Sequence, residues 1–386
     1  MSLLPYKKLI EVSDLIMGQS PPSSSYNELS DGYPFLQGKT EFGSLFPTER
    51  IYCTDPKKIS QLNDILISVR APVGDVNLSD KSYCIGRGLA AIRTGVEIDS
   101  KYLFYYFLKN KQQIADMGTG STFKAIGKSV LADLKIPLPP LPIQKKIVQV
   151  LDKARQLIDL REKQMLYLDE LVQSFFYDMF GDPVTNPKGW DYDSLSNYGS
   201  FKNGLNFAKG ESGNKIRYLG VGDFKSHSKI TDINSLTHVY LNETPSEGYF
   251  LTNGDIVFVR SNGNRELVGR CLAIYPDMEK VTFSGFCIRF RINNNEIDPI
   301  YLVHLFRIKS FKKTMLQNGR GANIQNINQK LLSGLEIPMP PQKLQNEFAN
   351  KVQKIEAQKV LMQESLEEMK NNYNSLMQRA FKGKLF

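Results

Sequence analysis

Residues Ile136 to Phe180 read IPLPPLPIQKKIVQVLDKARQLIDLREKQMLYLDELVQSFFYDMF, and a diverged copy, IPMPPQKLQNEFANKVQKIEAQKVLMQESLEEMKNNYNSLMQRAF, spans Ile337 to Phe381. The offset is 201 at both ends, so no gap separates the copies. Each copy opens on a proline cluster that cannot be helical: proline lacks an amide hydrogen and disfavours helical geometry in the residue before it. Behind the prolines the apolar residues fall at three- and four-residue steps. The first copy gives Ile147, Val150, Ala154, Leu157, Leu168, Leu171 and Phe175, broken at Arg161 and Gln164. The second gives Leu344, Phe348, Val352, Ile355, Met362, Leu366, Met369, Tyr373, Leu376 and Ala380. This spacing predicts a coiled-coil seam. A long helix with one apolar stripe in water is not stable alone, so the economical solution is that the two helices pair with each other.

The segments between the helices also repeat. Tyr6, Leu9 and Gly18 match Tyr192, Leu195 and Gly204 at an offset of 186, and Phe35-Leu36 matches Tyr218-Leu219. Asp64-Ile65 and Asp255-Ile256 each open a β-branched, apolar run that predicts a strand, and the two runs end in Arg70 and Arg260. A strand is expected over Cys84–Ile92, interrupted by Gly86 and Gly88. An aromatic-rich helix is expected over Lys101–Asp116 and again over 301–315, each followed by a glycine loop. The drift in offset from 186 to 201 means that the scaffold repeats while the loops differ in length.

The expected fold class is α+β: two similar globular α/β domains separated by two long helices forming an antiparallel coiled coil, with pseudo-two-fold symmetry. The expected boundaries are 1–142 and 181–342 for the domains, with spacer helices over 143–180 and 343–386. The first spacer is roughly 57 Å long at 1.5 Å per residue. Two readers on such a bar meet duplex sites one to one and a half turns apart.

Composition bounds the partners. The 386 residues suffice for two or three domains, and the formal net charge of +9 suits an anionic partner. Four cysteines form no C-x-x-C pair and three histidines are scattered, so a zinc site of ordinary spacing is not expected. No apolar signal core opens the chain and no run reaches membrane-spanning length, which points to a soluble, cytoplasmic protein without membrane contact.

The loops carry chemistry suited to double-stranded DNA: Arg and Lys for phosphate or guanine, Asn and Gln for adenine. In the first domain these residues are Lys39, Arg70, Arg87, Lys124 and Lys128. In the second they are Lys225, Arg260, Asn262, Asn264, Arg265, Arg320, Asn323 and Gln325. Any one of them alone reads as a solvated surface group; as two matched sets they point to DNA.

At this point the chain resembles, over its entire length, the specificity (S) subunits of type I restriction–modification enzymes, the HsdS family. The carriers are the Ile-Pro-x-Pro-Pro-to-helix repeats, the junction Phe180-Gly181-Asp182-Pro183 followed by Asn186-Pro187-Lys188-Gly189-Trp190, the closing Gln378-Arg379-Ala380-Phe381-Lys382-Gly383, and the strands DILISVRAPVG (64–74) and DIVFVRSNG (255–263). The resemblance implies two target recognition domains, each reading half of a split DNA sequence. It also implies that the long helices space them and dock two methyltransferase (M) subunits, with restriction (R) subunits joining outside.

No enzyme chemistry is evident beside it. Proline pairs lie in SPPSS, LPPLP and MPPQK, without the Asn/Asp-Pro-Pro-aromatic pattern of adenine methyltransferases. No strand-following glycine loop for a cofactor and no G-x-x-x-x-G-K-[ST] phosphate loop occurs. The expectation is a non-catalytic subunit with no cofactor. The alternative is a DNA-binding or scaffold coiled-coil protein outside restriction–modification.

Overall fold

The computed structural model describes residues 5–120, 124–207, 211–224, 228–317 and 326–386. The chain forms two compact units, Met1–Glu162 with Glu364–Phe386, and Lys163–Gln363.

The first unit contains β1 (Tyr6–Lys8), α1 (Leu9–Val12), β2 (Ser13–Met17), β3 (Tyr26–Asn27), β4 (Tyr33–Leu36), β5 (Ile51–Cys53), β6 (Ile65–Ser68), β7 (Val76–Leu78), β8 (Cys84–Ile85) and β9 (Leu89–Thr94). Then come α2 (Ser100–Asp116), α3 (Lys128–Ala132), β10 (Lys135–Pro137) and the long α4 (Leu141–Phe180). Two four-stranded sheets form, in the orders β2-β9-β6-β7 and β3-β5-β4-β8, and β1 pairs with β10. The single strand expected over Cys84–Ile92 is therefore two strands in two sheets. Gly86-Arg87-Gly88 carries the chain between them. A Cβ at Gly86 would lie 3.1 Å from the Phe35 ring, and one at Gly88 2.5 Å from the Gln37 carbonyl oxygen, so a side chain at either position would force its neighbours to move.

The second unit contains β11 (Tyr192–Ser194), β12 (Gly199–Asn203), β13 (Asn214–Leu219), β14 (Lys229–Ile230), β15 (His238–Leu241), β16 (Asp255–Val259), β17 (Cys271–Ile274), β18 (Val281–Phe283) and β19 (Cys287–Ile292). They are followed by α5 (Pro299–Arg307), α6 (Lys309–Gln317), α7 (Gln329–Ser333), β20 (Glu336–Pro338) and α8 (Gln342–Phe381). The sheet orders are β12-β19-β16-β17-β14 and β15-β13-β18, and β11 pairs with β20. The plan is that of the first unit. β13 runs parallel to β18 as β4 does to β8, with Leu219 opposite Phe283 and Leu36 opposite Ile85. The single aromatic helix expected over 301–315 is broken at Ile308, whose φ of −63° and ψ of 125° are extended. The break follows burial: with Ile308 turned into the core, Phe311 and Met315 of α6 reach the same core from a new direction.

Each unit holds half of each long helix. In the first, Ile147, Val148 and Leu151 of α4 share a core with Met377, Ala380 and Phe381 of α8. In the second, Val172, Phe176 and Phe180 of α4 share one with Phe348, Val352 and Ile355 of α8. Within each unit the pairing is antiparallel, and Lys370 reaches Glu162 at 2.7 Å in the first while Lys359 reaches Asp169 at 2.8 Å in the second. The seam expected on α8 is present. Of the seam expected on α4, Ile147 is buried and Leu168 and Phe175 pack partly buried against the second core, but the buried line otherwise runs one residue further on: Leu151, Ile158, Val172 and Phe176 are buried, whereas Leu157 and Leu171 are 44% and 40% exposed. Phe176, which lies off the expected seam, is fully buried and stacks on Tyr301 at 5.8 Å. The aromatic rings account for the rotation of the helix, because Phe176 and Phe180 pack their rings against Tyr301 and Phe348 in the second core.

Candidate nucleic-acid interface

Buried polar pairs fix the strands that carry the interface. Arg93 grips Asp64 with two nitrogens, at 3.1 and 2.9 Å, and Arg291 grips Asp255 at 2.9 and 2.7 Å. Each carboxylate also accepts a backbone N–H, from Gln61 and Thr252. Gln144 and Gln345, both fully buried, each accept a backbone N–H (Asp99, Asp298) and donate to carbonyls of the preceding loop and proline hinge. Tyr102 and Tyr301 donate their hydroxyls to Pro137 and Pro338 at 2.8 and 2.7 Å. This repeated network clamps hinge, helix and sheet together in each unit. It went unread in the sequence, although Gln144 and Gln345 stand at the repeat offset of 201.

Beyond the ends of β6 and β16 the two units present equivalent corners. Val69 donates its N–H to Gly88 and accepts from Ile126; Arg260 donates to Phe286 and accepts from Ile327. Arg70 and Ser261 then bridge Ala125 and Asn326. Arg260 is thus the counterpart of Val69, and Arg70 that of Ser261. The two strand-ending arginines are not equivalents.

In the first unit, Arg70, Arg87 and Lys124 are exposed around this corner. Arg70 and Arg87 make no side-chain hydrogen bond or ion pair among the described residues, and Lys124 lies 3.9 Å from Asp116. Lys128 is exposed at the start of α3. Lys39 differs: it lies 2.7 Å from Asp75, which Lys111 contacts at 2.5 Å. Burial works to raise the Asp75 pKa, but the two lysines outweigh it and hold the carboxyl below the usual range. The charge of Lys39 is therefore largely spent inside the protein.

In the second unit, Arg260 is half-buried and directs one nitrogen to the Gly285 carbonyl at 3.4 Å. Asn262 accepts the Asn264 N–H at 2.7 Å, and Asn264 accepts the Glu266 N–H at 3.0 Å to cap the turn that Arg265 opens. Their Oδ1 atoms are engaged, which leaves the NH2 groups to donate outward. Asn262 also lines a depression of about 470 Å³ with Tyr218, Ser261, Ser284, Phe286 and Asn326. Lys225, Arg320, Asn323 and Gln325 lie outside the described residues.

Phe286, 60% exposed at the rim of that depression, and Asn326 were not singled out from the sequence. Phe286 occupies the place of Gly88, and a register-true match of Ser284-Gly285-Phe286 with Gly86-Arg87-Gly88 would have revealed it. An exposed ring beside amide donors and a guanidinium can stack on or touch a base while the polar groups read edges or phosphate. Elsewhere, burial pushes the Cys84 and Cys271 thiols up to about 12, as expected of inert structural cysteines. Among the described residues no helix is long and apolar enough to cross a membrane.

The family model described as type I restriction modification DNA specificity domain matches residues 4–167 and again 187–371. A putative type I restriction enzyme MjaX specificity subunit from Methanocaldococcus jannaschii is 51% identical over 151 residues, covering 39% of this chain and 36% of that protein. The type I restriction enzyme StySPI specificity subunit of Salmonella potsdam is 25% identical over 416 residues, covering 97% and 87%. The crystal structure of a type I restriction–modification S subunit from M. genitalium superposes with a TM-score of 0.57 at 16% identity, covering 99% and 97% of the two chains. That last likeness is one of fold.

Proposed function

The chain belongs to the type I restriction–modification DNA specificity family, and from that premise we propose that it reads a bipartite duplex target, one domain per half-site. The domains are 1–142 and 181–342. The readers are the corner groups Arg70, Arg87, Lys124 and Lys128 in the first and Arg260, Asn262, Asn264 and Arg265 in the second, with Lys39 in a supporting role. Lys225, Arg320, Asn323 and Gln325 complete the set. The single observation that supports this reading is a buried scaffold repeated bond for bond under two corners of different chemistry. Uniform scaffolds with unlike loops are what two different half-sites demand.

The long helices act as spacer and as docking surface for two M subunits, with R subunits joining outside, in the cytoplasm. Leu160 and Leu166, 48% and 63% exposed on α4, support the docking role. The spacer role is tested by inserting one heptad between Leu160 and Arg161. Seven residues lengthen the helix by roughly 10 Å, about three base pairs of DNA rise. Selection from a random-spacer duplex library then yields both half-sites unchanged, a gap longer by about one to three base pairs, and weaker binding, because DNA bending or twisting has to supply the remaining rotation. An unchanged gap at full affinity would leave the helices as docking surfaces alone.

A further inference from the structure

In the first unit the turn at residues 85–88, which carries the chain from one sheet to the other, is gripped from both sides. On one side Gln19 donates its N–H to the Ile85 carbonyl at 2.9 Å, and the Ser20 hydroxyl accepts the Arg87 N–H at 3.3 Å. On the other the Leu36 carbonyl accepts the Gly86 N–H at 2.8 Å, and Gln37 follows directly. The Gln37 backbone presses so close that a Cβ at Gly86 would lie 3.2 Å from its Cα. Two glutamines are thereby anchored to either side of Arg87, and all three residues are exposed.

The neighbouring polar side chains are spent on holding this backbone. Glu41 accepts the Gly38 N–H at 3.0 Å with one oxygen and the Thr40 hydroxyl at 2.5 Å with the other. Tyr26 donates its hydroxyl to the Pro21 carbonyl at 3.1 Å and packs its ring on Phe35 at 4.7 Å, which ties down the chain leaving Gln19. Gln19, Gln37 and Arg87, by contrast, make no side-chain hydrogen bond or ion pair among the described residues. Side chains free at the tip and fixed at the root lose little freedom on meeting a base edge. The second unit keeps the scaffold without these groups. Leu205 donates its N–H to Phe283 as Gln19 does to Ile85, and Gly285 takes the place of Arg87. Gly220, whose N–H goes to Asp223 at 2.8 Å, follows Leu219 at once, whereas the first unit inserts Gln37 between Leu36 and the equivalent Gly38.

Resting on the reading that this unit reads one half-site, we propose that Gln19 and Gln37 determine its specificity, each pairing its amide with an adenine edge, while Arg87 between them takes a guanine edge. A glutamine amide matches adenine because it donates to N7 and accepts from the N6 amino group. A guanidinium matches guanine because both of its contacts donate, to N7 and O6. The second unit has no counterpart of either glutamine, so replacing them touches one half-site only.

The test selects bound duplexes from a library with both half-sites randomised, using the full chain in complex with M subunits. Gln19→Ala and Gln37→Ala, at exposed positions, should leave the melting temperature within about 2 °C of the parent. Each should lower the preference for adenine at one position of the same half-site by roughly 5- to 150-fold, with the other half-site and the gap as before. Gln37→Glu turns the donor into an acceptor and should replace adenine at its position with cytosine, whose N4 amino group donates. A parent that selects a split target which both alanine variants read unchanged overturns this proposal alone. So does a loss that falls equally on all sequences, the mark of a phosphate contact, or a relaxed position that is not adenine. A parent that selects no split target overturns the one-domain-per-half-site reading, and this proposal with it.

Discussion

In the first unit Asp75 sits between two lysines; in the second the same position is Arg270, among Arg307 and Lys312. Gly88 of one unit is Phe286 of the other, Val69 is Arg260, and Ala125 is Asn326. Beneath these differences the Asp–Arg clasp, the buried glutamine and the tyrosine-to-hinge bond recur with distances that agree to a few tenths of an ångström. Partnered buried polar groups are held fixed because a lost partner leaves the other group unsatisfied in a medium that cannot solvate it. Exposed groups at the corners carry no such penalty and are at liberty to diverge. On the proposed reading, specificity belongs to the corners and stability to the clasps.

The largest effects should come from the helix plugs. Phe176 and Met377 stand at the repeat offset and fill the cores of the second and first units. Phe176→Ala should cost about 3–5 kcal/mol and Met377→Ala about 2–5 kcal/mol in urea unfolding. A Phe176→Ala cost near zero would contradict the seam seen on α4. Next, Asp64→Ala and Asp255→Ala should each cost about 3 kcal/mol, the low end for a broken buried pair because each guanidinium is about one-third exposed. Two very unequal costs would break the equivalence of the clasps. The smallest effect belongs to the outer face of α4. Leu160→Ser and Leu166→Ser should shift stability by no more than about 0.5 kcal/mol. They should nonetheless reduce co-purification of M subunits, and retention of both M subunits in the double variant would remove that face from the docking surface.

The repeat, its hinges and the strand pairs were legible because proline, glycine and buried aspartate are each tied to one backbone demand. Gly18 and Gly204 show why: each donates its N–H to the neighbouring strand, and a Cβ would collide with a carbonyl, of Gly86 and Ser284 respectively. The face of α4 was misread because Leu157, Leu160 and Leu171 supply an outer apolar stripe beside the buried one, and spacing alone does not say which stripe meets the core. Arg70 and Arg260 were paired by residue type at the ends of two similar strands, whereas the ladder, counted from Asp64 and Asp255, places them one residue apart. Phe286 was hidden for the same reason.

The central claim, one reader per unit, is tested most directly by selecting bound duplexes from a library with both half-sites randomised, using the parent chain and Arg260→Ala in complex with M subunits. If Arg260 contacts a base, its loss should weaken binding by about 1–3 kcal/mol and relax one half-site only, leaving the other half-site and the gap as before. Relaxation spread over both half-sites would contradict the account.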